Sequence, residues 1–139
     1  MRGSEAMNNR LVTIRITHGG HPPTVRTGVS ADDVGGIIRG LAGEPDVAVK
    51  VFWEGVTDER VSLGITGFNV FLVLARPRQL YQYVAHGHDD RQEMIPFITN
   101  CEPTDIRSRY VVDIETAAAV VQEWLISGQE SSLGLWERR

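Results

Sequence analysis

The chain is poor in several things that define protein classes. It has one cysteine, Cys101, which leaves no partner for an intrachain disulfide and rules out a cysteine-rich zinc module. It has one lysine, Lys50, in a basic complement otherwise made of arginine. Base composition explains that bias more simply than arginine-specific recognition. Excess positive charge is also missing. A formal net charge of −4 over 139 residues gives no support for a general nucleic-acid or membrane surface, and leaves room only for a local basic patch. The apolar run from Phe68 to Ala75 is interrupted and far shorter than the ~20 residues a membrane helix needs, and no early apolar segment has the form of a signal peptide. No Gly-x-x-x-x-Gly-Lys-Ser/Thr loop occurs, and Gly64-Ile-Thr-Gly67 has the wrong spacing for a dinucleotide turn. The expectation is a cytoplasmic protein with no membrane partner, no direct nucleic-acid contact and no cofactor.

What is present suits one domain. Residues 1–10 are polar and aperiodic and read as a mobile arm, with Met7 an alternative start. Residues 11–139 read as a single domain with 42% apolar residues in the whole chain, enough for a core without staples. The clearest element lies near the C-terminus. Ala117, Val120, Val121, Trp124 and Leu125 recur at the spacing of one helix face, after a start at Asp113-x-x-Thr116 and before a closing Gly128. A short strand, Ser132 to Trp136, is expected to follow directly.

Most other periodic segments alternate. Leu11 to Ile16, Val47 to Trp53, Arg60 to Thr66, Phe68 to Ala75 and Gln79 to His86 read as strands. Thr17 to Pro23 reads as a loop, and Thr24 to Thr27 as a resumed strand. Ser30-Ala-Asp-Asp33 resembles a capping box opening a helix with Val34, Ile37, Ile38 and Leu41 on its stripe. Gly35 and Gly36 weaken that helix by roughly 1 kcal/mol each relative to alanine, and are expected to let it approach the sheet. Met94 to Ile98 reads as a short strand or extended loop, and Asn100 to Arg107 as irregular. The expected fold is α+β: a mostly antiparallel sheet packed against two helices, the longer near the C-terminus.

The chemistry-bearing residues are sparse. His86-Gly-His88 is the densest set of possible metal ligands, needing a third from His18, His21, Glu93 or Cys101. A polar hairpin rim accounts for the same residues. An acid–base reading would use His86, Tyr81 and Glu93. Cys101 as a nucleophile would need a base such as His88, and a small, partly buried side chain is the plainer role. Trp53 and Trp136 each end a strand, so each fits either a core edge or a binding anchor. The acidic pair Asp89 and Asp90, with Tyr81 and Tyr83, completes a candidate partner-binding set with Trp53, suited to a basic partner.

The stretch from Tyr110 to Trp136 resembles the C-terminal part of the Imm1-type immunity proteins of bacterial polymorphic toxin systems. Trp124-Leu125 occupies the family's aromatic–aliphatic step, Gly128 its glycine and Leu135-Trp136 its closing strand. The strands from Val47 to Ala75 and the pair Tyr81/Tyr83 resemble its central meander. Gln129-Glu130 stands where the family often has Arg-Pro. The resemblance implies a non-enzymatic inhibitor that binds and occludes a cognate toxin, often a nucleic-acid deaminase or nuclease. A small metal-independent enzyme acting on a biosynthetic intermediate and a homodimeric structural or regulatory module remain the alternatives.

Overall fold

Strict alternation of apolar residues over successive strands puts all of them on one face of a sheet, provided the registers agree. They do. In the computed structural model, which describes residues 10–56, 58–76, 83–86, 93–128 and 135–138, β1 (Leu11–His18) pairs with β3 (Val47–Trp53) so that Ile14 meets Val51 and Ile16 meets Val49. β4 (Arg60–Thr66) continues the row, with Leu63 between Val49 and Leu72 of β5 (Asn69–Ala75). Every neighbouring pair is antiparallel. Among the described residues the strand order is β10-β6-β5-β4-β3-β1-β2, with β2 at Thr24–Ser30, β6 at Tyr83–His86, β10 at Leu135–Arg138 and a two-residue β9 (Val112–Asp113) beside β5.

Two helices cover that apolar face: α1 (Ala31–Arg39) and α2 (Ile114–Ser127). The α2 stripe expected from periodicity is buried in full, from Ala117 through Val120, Val121, Trp124 and Leu125. Asp113 caps its start by accepting the Thr116 N–H at 2.7 Å. Gly128 ends it at φ 75°, a left-handed conformation that only glycine adopts without a Cβ penalty, and donates to the Trp124 carbonyl at 2.7 Å. Ser30 caps α1 through the Asp32 N–H. The architecture is α+β with an antiparallel sheet against two helices, the longer near the C-terminus. No helix among the described residues is long and apolar enough to cross a membrane.

Several local expectations change. Gly35 brings α1 close to α2, not to the sheet: its N–H donates to Gln122 Oε1 at 2.9 Å, and a Cβ there would stand 2.6 Å from that oxygen. The stretch expected to be irregular, Asn100 to Arg107, contains β8 (Glu102–Arg107), paired with β7 (Met94–Thr99) in a separate hairpin. Its polar residues and Pro103 hide it, because a strand that buries little need not alternate and an edge tolerates proline. The first strand runs to His18, beyond its expected end, and β2 runs to Ser30. Ser132 to Gly134 of the expected closing strand lie outside the described residues.

Candidate functional site

The second face of the sheet is built differently. Opposite the helices stand Arg15, Thr17, Ala48, Lys50, Ser62, Thr66, Phe71 and Val73, a mixed surface that the helices do not reach. The β7–β8 hairpin covers part of it. Phe97 is the hairpin's fully buried residue; its ring meets Phe71 edge-on at 4.9 Å. Gly64, on β4, leaves the space that the Phe71 ring fills, since a Cβ at Gly64 would overlap that ring.

A hairpin with so little core of its own needs outside bonds to hold its position. Thr66 supplies one, its hydroxyl oxygen accepting the Ile98 N–H at 3.1 Å. Asp46 supplies two at the tip, where Oδ1 accepts the Asn100 N–H at 2.9 Å and Oδ2 the Cys101 N–H at 2.7 Å. Both turn residues have positive φ, 51° and 69°, as a two-residue type I′ connection requires. Gly19 completes the arrangement, because a side chain there would overlap the Asp46 carboxylate.

Among the described residues, two recesses lie beside the hairpin on the open face. One, of about 180 Å³, lies between Phe71, Val73, Met94, Ile106 and Tyr110. The other, of about 360 Å³, is lined by Arg15, Thr17, His21, Pro23, Lys50 and Asn100. Its floor carries an unfavourable pairing. Arg15 and Lys50 are direct cross-strand partners with exposed side chains, and like charges so placed cost roughly what an opposite pair contributes, ~0.2–1 kcal/mol. The carboxylates flanking β3 are engaged elsewhere: Asp46 with the hairpin tip, and Glu54 with the Gly28 N–H at 2.6 Å.

The residues singled out from sequence distribute unevenly. Trp53 is 3% exposed and packs on Trp124 with ring centroids 4.4 Å apart. It belongs to the core and offers a partner no surface in this arrangement. Neither indole N–H has a hydrogen-bond partner among the described residues. Tyr83 pairs with Leu74, and His86 with Leu135, along β6. Glu93 is exposed just before β7, and its carbonyl accepts the Ser108 N–H at 2.8 Å. Tyr81, His88, Asp89 and Asp90 lie outside the described residues, so neither the acid–base set of His86, Tyr81 and Glu93 nor the His86–His88 metal pair is described whole. Among the described residues no three His, Cys, Asp or Glu side chains gather to hold a metal ion. Cys101 is exposed at the hairpin tip, not partly buried.

Sequence reading missed the Arg15–Lys50 pair. Each is an ordinary outward residue of an alternating strand, and only the β1–β3 register puts them opposite each other. The hairpin tip did carry a signal, since asparagine is favoured at the first position of a type I′ turn. Compared with known proteins, the chain matches no family model and no curated protein.

Proposed function

We propose that this protein is a non-catalytic binding protein of the immunity type, acting by stoichiometric occlusion of a toxin, with the open sheet face and its hairpin as the working surface. The observation that carries this reading is the division of labour between the faces. One face holds the helices and the core; the other presents an outward hairpin fixed by Asp46 and Thr66. The hairpin's outer row includes Met94 and Ile98, 51% and 42% exposed, which a partner can bury. A surface held in place before binding loses less entropy on association than a mobile one. The resemblance over Tyr110 to Trp136 supports the inhibitor role, and it falls on the scaffold: Trp124 and Gly128 serve packing and helix termination.

The test is to search the gene's neighbourhood for a toxin domain and to ask whether this protein neutralises it. Co-expression should restore growth, and the purified pair should form a one-to-one complex by calorimetry. Ile98→Asp on the hairpin should weaken the complex at least tenfold with little change in melting temperature. A complex indifferent to Ile98→Asp and to Lys50→Glu would remove the open face from the proposal. A toxin left active by excess protein would remove the inhibitor role.

A further inference from the structure

Arg15 and Lys50 are opposed across β1 and β3, and both line the larger recess with Thr17, His21 and Asn100. Neither forms an ion pair among the described residues. Asp46 and Glu54, the carboxylates on either side of β3, accept backbone N–H groups and do not neutralise the pair. Two cations held side by side without a counter-charge repel each other until an anion sits between them. The surroundings supply what such an anion needs. Arginine offers a planar fork of donors and lysine a compact point charge. The Thr17 hydroxyl and the Asn100 amide add neutral donors at the wall.

We propose that this recess is a binding site for an oxyanion, a carboxylate or a phosphate monoester, held between the Arg15 guanidinium and the Lys50 ammonium. A space of about 360 Å³ exceeds a bare inorganic ion and falls at the lower end of the range for small-molecule sites. It therefore accommodates the charged group together with a few of the atoms that carry it. Two sources share that chemistry: a free small molecule bearing phosphate or carboxylate, and an acidic side chain presented by a protein partner. The site stands on the opposed cations and the recess, and does not depend on the inhibitor reading above.

Titration of the ¹⁵N-labelled full chain at low ionic strength tests it, with three probes: inorganic phosphate, phosphoserine, and a blocked tri-glutamate peptide. Saturable shifts are expected at the amides of Arg15, Thr17, Lys50 and Asn100, and chloride at equal ionic strength should not reproduce them. Arg15→Gln with Lys50→Gln should weaken the response at least tenfold. Arg26→Gln should leave it unchanged, because Arg26 pairs with the core residue Ile14 and so belongs to the other face. If the double variant fails to fold, Lys50→Gln alone carries the comparison. Tighter binding of the peptide assigns the site to a protein's acidic side chain, and tighter binding of phosphoserine to a free small molecule; either supports the oxyanion site. Shifts that do not saturate, that chloride reproduces, or that survive removal of both cations overturn it.

Discussion

The carboxylate of Asp46 accepts the backbone N–H of Cys101 at 2.7 Å, joining residues 55 positions apart, while its other oxygen takes the N–H of Asn100. One side chain thus gathers two successive turn amides, the arrangement in which a concave run of N–H groups ordinarily receives an anion. Here the anion is part of the chain, and it pins the tip of a hairpin that the sheet alone would hold loosely.

Asp46→Ala should therefore act locally. The lost bonds are charge-assisted but solvent-exposed, so global stability should fall by only about 1–2 kcal/mol in urea denaturation. Amide exchange across β7 and β8 should accelerate far more than exchange in β3 to β5. Equal acceleration throughout would show that the hairpin does not rely on this carboxylate. Gly19→Ala should give a milder form of the same result by displacing the Asp46 side chain.

The turn that Asp46 holds contains a residue poorly suited to it. Cys101 has φ 69°, and a β-carbon in the left-handed region costs roughly 1–2 kcal/mol. Cys101→Gly should restore the Asn-Gly pairing preferred in type I′ turns and raise stability by about 0.5–1.5 kcal/mol. An unchanged or lowered denaturation midpoint would mean that the thiol makes a contact worth as much as the strain.

How far the sequence reached follows from the same elements. β3 to β5 and α2 were legible because burial imposes a period, 2.0 on the strands and 3.6 on the helix, and each apolar row really faces the core. The Trp124 stripe and the Gly128 cap are cases where local pattern and tertiary role coincide. β8 was illegible because almost nothing on it is buried, so no period was imposed. The open face was illegible for another reason. Arg15 and Lys50 lie 35 positions apart, and their opposition exists only through the β1–β3 register. Trp53 was ambiguous for a third reason: a tryptophan at a strand end fits either a core edge or a binding anchor, and the Trp124 ring that places it in the core lies far along the chain.

Asp113 ties stability to acid pH. Hydrogen bonds from the Thr116 backbone N–H and side chain stabilise its carboxylate and hold its pKa below the ordinary value of 3.8, against the opposing effect of burial. The folded state therefore releases this proton more readily than the unfolded chain. The stabilisation is fully present above the unfolded value near 3.8 and is lost as pH falls through the lowered folded value. Asp113→Ala should cost about 0.5–2 kcal/mol at neutral pH, as loss of a helix cap does. The difference from the parent chain should shrink below pH 4 in denaturant titrations. A difference that stays constant through that range would assign the effect to backbone geometry instead of charge.

The glycine pair in α1 offers the sharpest contrast, because helix propensity predicts the same gain at both positions. Replacing an exposed helical glycine by alanine reduces the entropy of the unfolded chain and contributes up to about 1 kcal/mol. At Gly36 nothing lies within 4 Å of the added methyl, and the backbone is not left-handed, so Gly36→Ala should realise most of that gain. At Gly35 the methyl would stand 2.6 Å from Gln122 Oε1, the acceptor of the Gly35 N–H. Gln122 would have to turn away, giving up that bond and its own donation to the Asp32 carbonyl at 3.2 Å. Those losses offset the propensity gain, so Gly35→Ala should be neutral or destabilising by up to about 1 kcal/mol. Combining Gly35→Ala with Gln122→Ala removes the obstructing side chain as well as the bonds. The coupling in that double-mutant cycle should be favourable by at least about 0.5 kcal/mol. Equal midpoints for the two single variants, with no coupling to Gln122, would show that α1 and α2 do not meet through this residue.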